Sequence, residues 1–79
     1  MNWRDYIDRN PEVLGGKPRI KGTRISVELI IGRLGDGWTV EQLFEAYPRI
    51  NRDQVQACLA YAAESLASDE IMDIPRSAA

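Results

Sequence analysis

The chain contains no histidine, and a single cysteine among its 79 residues. Without imidazole it has no general base that titrates near neutral pH and no nitrogen ligand for a metal. One cysteine, Cys58, excludes an intramolecular disulfide and fits a reducing compartment such as the cytoplasm. Aromatic residues make up only 8% of the chain, and no apolar run approaches the length needed to cross a bilayer. The start, MNWRDYIDRN, lacks the apolar centre of a secretory signal. Carboxylates are scattered, and Asp69, Glu70 and Asp73 are too short a cluster for a metal site. Catalysis and a cofactor are therefore not expected. The expectation is a cytoplasmic domain that binds no membrane.

What is present is an ordinary globular composition, 44% hydrophobic, with a net charge of −2. A domain this small buries little surface, so a partner or a second copy, giving a homodimer, is expected to add stability. The charge is unevenly spread. Residues 1–38 hold seven basic and five acidic residues, whereas residues 39–79 hold three and seven. A basic front and an acidic back point to two surfaces with different partners.

Helical signals dominate the middle. Ser26 caps a helix expected over Val27 to about Leu34, with Val27, Ile30, Ile31 and Leu34 inward. Glu28 suits its positive end, and Gly35-Asp36-Gly37 stops it. Thr39 and Gln42 then form a capping box, with Trp38 and Leu43 at the hydrophobic-staple positions. Val40, Leu43, Phe44 and Tyr47 recur at helical spacing until Pro48 ends that helix. Asn51 and Gln54 repeat the capping pattern at the head of a third helix, expected from Arg52 to about Leu66. Its inward stripe reads Val55, Cys58, Leu59, Ala62 and Leu66, which leaves Asp53, Ala57, Ala60, Tyr61 and Glu64 outward. Of the outward set, Ala57, Ala60 and Tyr61 form a flat apolar surface suited to a protein partner.

The segment GGKPRIKGTRI, Gly15 to Ile25, carries four basic residues and no acidic one. It is not a Walker loop: Pro18 follows Gly16-Lys17, and Pro11 stands where the leading glycine is required. Pro18, Ile20, Thr23 and Ile25 favour extended chain, while Gly15-Gly16 and Lys21-Gly22 favour turns. Strand alternation would set Lys17, Arg19 and Lys21 on one face. Tyr6-Ile7 is the candidate pairing strand. The expected fold is mostly α: a three-helix core preceded by a short N-terminal β-ribbon. Residues 1–67 form this single domain. Residues 68–79 form an acidic tail in which Ile71, Met72 and Ile74 are apolar anchors for a partner.

The turn Tyr47-Pro48-Arg49-Ile50 gives the last two helices a spacing compatible with a helix-turn-helix. Candidate DNA contacts are Lys17, Arg19, Lys21 and Arg24 in the front segment. Arg49, Arg52, Gln54 and Gln56 join them at the turn and the start of the last helix. Asp53 and Glu64 oppose phosphate binding on that helix.

The run Asn10-Pro11-Glu12-Val13-Leu14-Gly15-Gly16-Lys17-Pro18-Arg19-Ile20-Lys21-Gly22-Thr23-Arg24-Ile25-Ser26-Val27 resembles the signature of the bacterial domain-of-unknown-function 433 family. Asp36-Gly37-Trp38, Glu45-Ala46-Tyr47-Pro48 and the stretch Asp53 to Ala62 resemble it too, so the likeness covers about residues 5 to 66. Ser26 stands where the family often has proline. The resemblance implies a homeodomain-like helix-turn-helix preceded by short strands. It also implies an antitoxin of a type II toxin–antitoxin pair, partnered by a PIN-like ribonuclease toxin and binding operator DNA. A protein-interaction module, or a free-standing DNA-binding regulator without a toxin, is the alternative.

Overall fold

The computed structural model describes residues 1–67; the acidic tail, with Ile71, Met72 and Ile74, lies outside the described residues. The chain is mostly helical, with one small two-stranded antiparallel sheet. A 3-10 turn, Trp3–Asp5, leads into β1, Ile7–Asp8. A second tight turn, Leu14–Gly16, precedes β2, Arg19–Ile20. Three helices follow: α1, Val27–Gly35; α2, Val40–Ala46; and α3, Arg52–Ala67.

The ribbon forms as the sequence predicts, with Ile7 opposite Ile20 and Asp8 opposite Arg19. Both isoleucines are buried, because alternation sends them to the core face. After β2 the chain reverses sharply. The Ile20 amide donates to the Ile25 carbonyl at 2.9 Å, and the Thr23 amide to the Ile20 carbonyl at 3.1 Å. Gly22 supplies the left-handed residue this reversal needs, at φ +76°. The Val27 amide then donates to the Pro18 carbonyl at 3.0 Å, which ties the start of α1 to the ribbon.

The helix boundaries follow from caps. The Leu29 amide donates to Ser26 Oγ at 2.9 Å. At the far end of α1, the Trp38 amide reaches the Arg33 carbonyl and the Gly37 amide reaches the Leu34 carbonyl, both at 3.0 Å. This is a Schellman closure, and Gly37 takes the left-handed conformation it requires, at φ +98°. In α2 the Gln42 amide donates to Thr39 Oγ1 and the Thr39 amide to Gln42 Oε1, the predicted reciprocal box. Asn51 and Gln54 repeat it at the head of α3, at 2.9 and 2.8 Å.

The core is built from Ile7, Ile20, Val27, Ile30, Leu43, Ile50, Val55, Ala57 and Cys58. The inward stripe expected on α3 is partly corrected. Val55 and Cys58 are buried, but Leu59 is 45% exposed and Leu66 59% exposed. Ala57, expected outward, is fully buried at 0%. The reason is that α3 is covered from two sides. It packs against α1 on one flank and against the Trp3–Asp5 turn and β1 on the other. The buried arc therefore rotates toward Ala57, and Leu59, about 100° past Cys58 around the helix, falls outside it.

Burial pushes the Cys58 thiol up from its ordinary 9.0 to about 12. Cys58 is accordingly expected to resist a thiol reagent at mildly alkaline pH and to react fully once denaturant opens the core. Below pH 9 the thiol is neutral in both folded and unfolded chains and gives no pH dependence. Between pH 9.0 and about 12 the unfolded chain ionises first, so this group makes stability fall as pH rises through that window. A Cys58→Ala chain whose alkaline melting curve matches that of the parent would contradict this. Thr39→Ala removes an N-cap and is expected to cost about 1 kcal/mol. In a domain of this size that lowers Tm by about 4–8 °C, readable by circular dichroism.

Candidate nucleic-acid interface

Each of the eight predicted DNA contacts now has a position. Arg19 is drawn into the fold. Its Nε donates to Asp8 Oδ1 at 2.9 Å and its Nη1 to the Thr23 carbonyl at 2.9 Å, leaving its side chain 13% exposed. It clamps the ribbon to the turn and is not free for phosphate. Lys17 is exposed, but its ammonium meets Glu28 Oε1 at 3.0 Å. The predicted row of three cations on one face is therefore not formed. β2 is only two residues long, so strand alternation does not extend to Lys17 or Lys21. Gln54 is half-buried and committed to the cap with Asn51, which removes it as a base-reading residue.

Lys21, Arg24, Arg49, Arg52 and Gln56 remain exposed. Arg52 opens α3 with its guanidinium 5.8 Å from the Phe44 ring centre, a contact that steadies the side chain without neutralising it. Arg49 lies in the turn just ahead, where the Ile50 amide donates to the Tyr47 carbonyl at 3.1 Å and Ile50 is buried. Gln56 follows Arg52 by four positions, on the same side of the helix. Arg49 also shares a surface groove of about 450 Å³ with Val13, Gly22, Thr23, Arg24 and Ile25, with Arg19 at its edge. The sequence separates Arg24 from Arg49 by two helices, and the fold brings them to the same groove.

The predicted partner face of α3 is also repositioned. Ala57 is in the core, and Ala60 and Tyr61 are half-buried. The chain's own N-terminus covers this side. Trp3 meets Tyr61 edge to face, with ring centres 4.8 Å apart at 88°. Arg9 Nη2 donates to the Tyr61 hydroxyl at 3.0 Å. Trp3 Nε1 donates to the Glu64 carboxylate, which also has Arg4 at 3.9 Å. The guanidinium of Arg4 stacks 4.4 Å from the Trp3 ring centre. The sequence reading missed Leu59 and Leu66, the apolar residues that α3 does expose. A second apolar surface, a cleft of about 330 Å³, runs between Pro18, Val27, Ile31 and Tyr61 and is flanked by the Lys17–Glu28 pair.

Chemically, the exposed arginines and Gln56 can hold phosphate and hydrogen-bond a base edge. Among the described residues, no three histidine, cysteine or carboxylate groups converge as metal ligands. No helix there is long and apolar enough to cross a membrane.

Comparison with known proteins bears on the same residues. An uncharacterized protein, y4eO, of Sinorhizobium fredii (strain NBRC 101917 / NGR234) is 30% identical over 59 residues. The match takes in 75% of this chain but 27% of that protein, so the chain spans about a quarter of its relative's length. No solved structure gives a significant match. The family model described as "Protein of unknown function (DUF433)" matches residues 7–62, from β1 to the third turn of α3, and the chain belongs to that family.

Proposed function

We propose that this chain is an antitoxin-type regulator that binds double-stranded DNA through the turn before α3 and the first turns of α3. The observation that carries this reading is the exposure of Arg49, Arg52 and Gln56 together at the α2–α3 junction, on a helix start fixed by its own cap. Helix-turn-helix proteins read bases with the N-terminal residues of their second helix, and those are the residues left free here. In this reading the three helices act as a homeodomain-like unit, with α3 in the major groove. Two copies would read two half-sites.

A toxin partner, of the PIN-like ribonuclease kind, is the second element of the proposal. Its support is the exposed pair Leu59 and Leu66, seven residues apart on one side of α3. The same pair favours the alternative of a protein-interaction module that never meets DNA.

Salt separates the two readings. Two or three phosphate contacts give a logarithmic salt slope of about −2 to −3 for DNA affinity, whereas an apolar protein contact responds little. Fluorescence anisotropy with a labelled duplex from the chain's own upstream region is the measurement. The double variant Arg49→Glu, Arg52→Glu is expected to lose more than about tenfold in affinity with an unchanged melting temperature. Equal affinity for variant and parent would remove the α2–α3 junction from any DNA contact. Leu59→Glu is expected to leave DNA affinity intact and to abolish co-purification of a toxin partner.

A further inference from the structure

We infer that the groove between Arg24 and Arg49 is a binding site for a single phosphate group. It shares Arg49 with the DNA reading and goes beyond it by adding Arg24 on the ribbon's turn, and it holds for a phosphate from any source.

The first argument is an inventory of positive charge. Among the described residues, Arg4, Lys17 and Arg19 each face a carboxylate within 4 Å. Arg9 donates to the Tyr61 hydroxyl. Arg33 and Arg52 lie over the rings of Trp38 and Phe44. Lys21, Arg24 and Arg49 have no such partner, and of these Arg24 and Arg49 line one groove, whose wall contains no carboxylate. On its other side Arg24 borders a groove with Glu28 and Asp36, but neither forms an ion pair with it, and Glu28 is held by Lys17. Two guanidinium groups on one groove with no carboxylate in its wall repel, and an anion held between them reverses the sign of that term.

The second argument is rigidity. Arg24 is mounted on a turn tied at every step. Thr23 Oγ1 donates to the Ile20 carbonyl at 2.7 Å and accepts from the Ile25 amide at 3.0 Å. Arg19 Nη1 holds the Thr23 carbonyl from the other side, and Asp8 neutralises that arginine. Arg49 stands beside buried Ile50. Fixed mounts spare the backbone share of the ordering cost, leaving only the side-chain rotamers to be fixed when the arginines close on a ligand. The planar fork of each guanidinium matches two phosphate oxygens, a geometry that chloride cannot use.

The test is a heteronuclear NMR titration of the full chain with inorganic phosphate, at constant ionic strength against sodium chloride, repeated with a short DNA duplex. Phosphate is expected to give saturable shifts centred on Gly22, Arg24, Ile25 and Arg49. Arg24→Gln and Arg49→Gln, both at exposed positions, are each expected to weaken the midpoint by about tenfold, the loss of one charge-assisted contact. Lys17→Gln is expected to leave it unchanged. Shifts that grow linearly, or that survive both arginine variants, would overturn the site. If the duplex produces the same shifts at lower concentration, the phosphate belongs to a nucleic-acid backbone. Saturation by phosphate with no response to duplex upholds the groove and overturns the DNA reading. Duplex binding that shifts Arg49 while Gly22, Arg24 and Ile25 stay silent overturns the groove and leaves that reading standing.

Discussion

The structure hangs on the pairing of Ile7 with Ile20. Two strands of two residues would not persist in water alone. Here each contributes a buried isoleucine to a core shared with α1 and α3, so the ribbon and the helices stabilise one another. The pairing also brings Asp8 beside Arg19, and that ion pair fixes the reversal that carries Arg24. It delivers Trp3 to the side of α3 as well, since the first turn runs straight into β1. One short register thus determines what α3 shows to solvent and where the basic turn lies.

Much of this was legible in the chain. The helix starts were written locally, in Ser26, Thr39 with Gln42, and Asn51 with Gln54, because a cap is a contact between residues three apart. The ribbon was legible too, through Ile7, Ile20 and the turn at Gly22. What was not legible was the phase of α3. Apolar residues at Val55, Ala57, Cys58, Leu59, Ala60 and Ala62 fit more than one inward arc, and periodicity cannot choose between arcs. The choice was made by Trp3, more than fifty residues away, which covers Tyr61 and Glu64. Arg19 and Gln54 fell for a related reason. Composition counts both as available, yet Arg19 is consumed by Asp8, which only the fold brings to it, and Gln54 by the cap with Asn51, which the chain itself spells out.

The functional reading rests on the residues left over. A chain of net charge −2 that answers several of its cations with carboxylates or aromatic rings still leaves Arg24 and Arg49 unanswered around one groove among the described residues. Exposed Arg52 and Gln56 continue from Arg49 into α3. Leu59 and Leu66 occupy the far half of the same helix, so the exposed basic and apolar side chains are separated along one element. A regulator that answers to both nucleic acid and a protein has use for that separation.

The coverage of α3 by Trp3, Arg4 and Arg9 has a practical consequence for anyone handling this protein. The three helices are not its minimal folding unit. A truncation beginning at β2 would strip Tyr61 of its ring contact and Glu64 of its indole donor, and would expose an apolar flank that the intact chain conceals. Such a fragment would stick to many proteins for reasons unrelated to its biology. An interaction screen should therefore carry its affinity tag at the C-terminus and keep the first nine residues intact. The indole hydrogen bond from Trp3 to Glu64 marks the closed state of that flank.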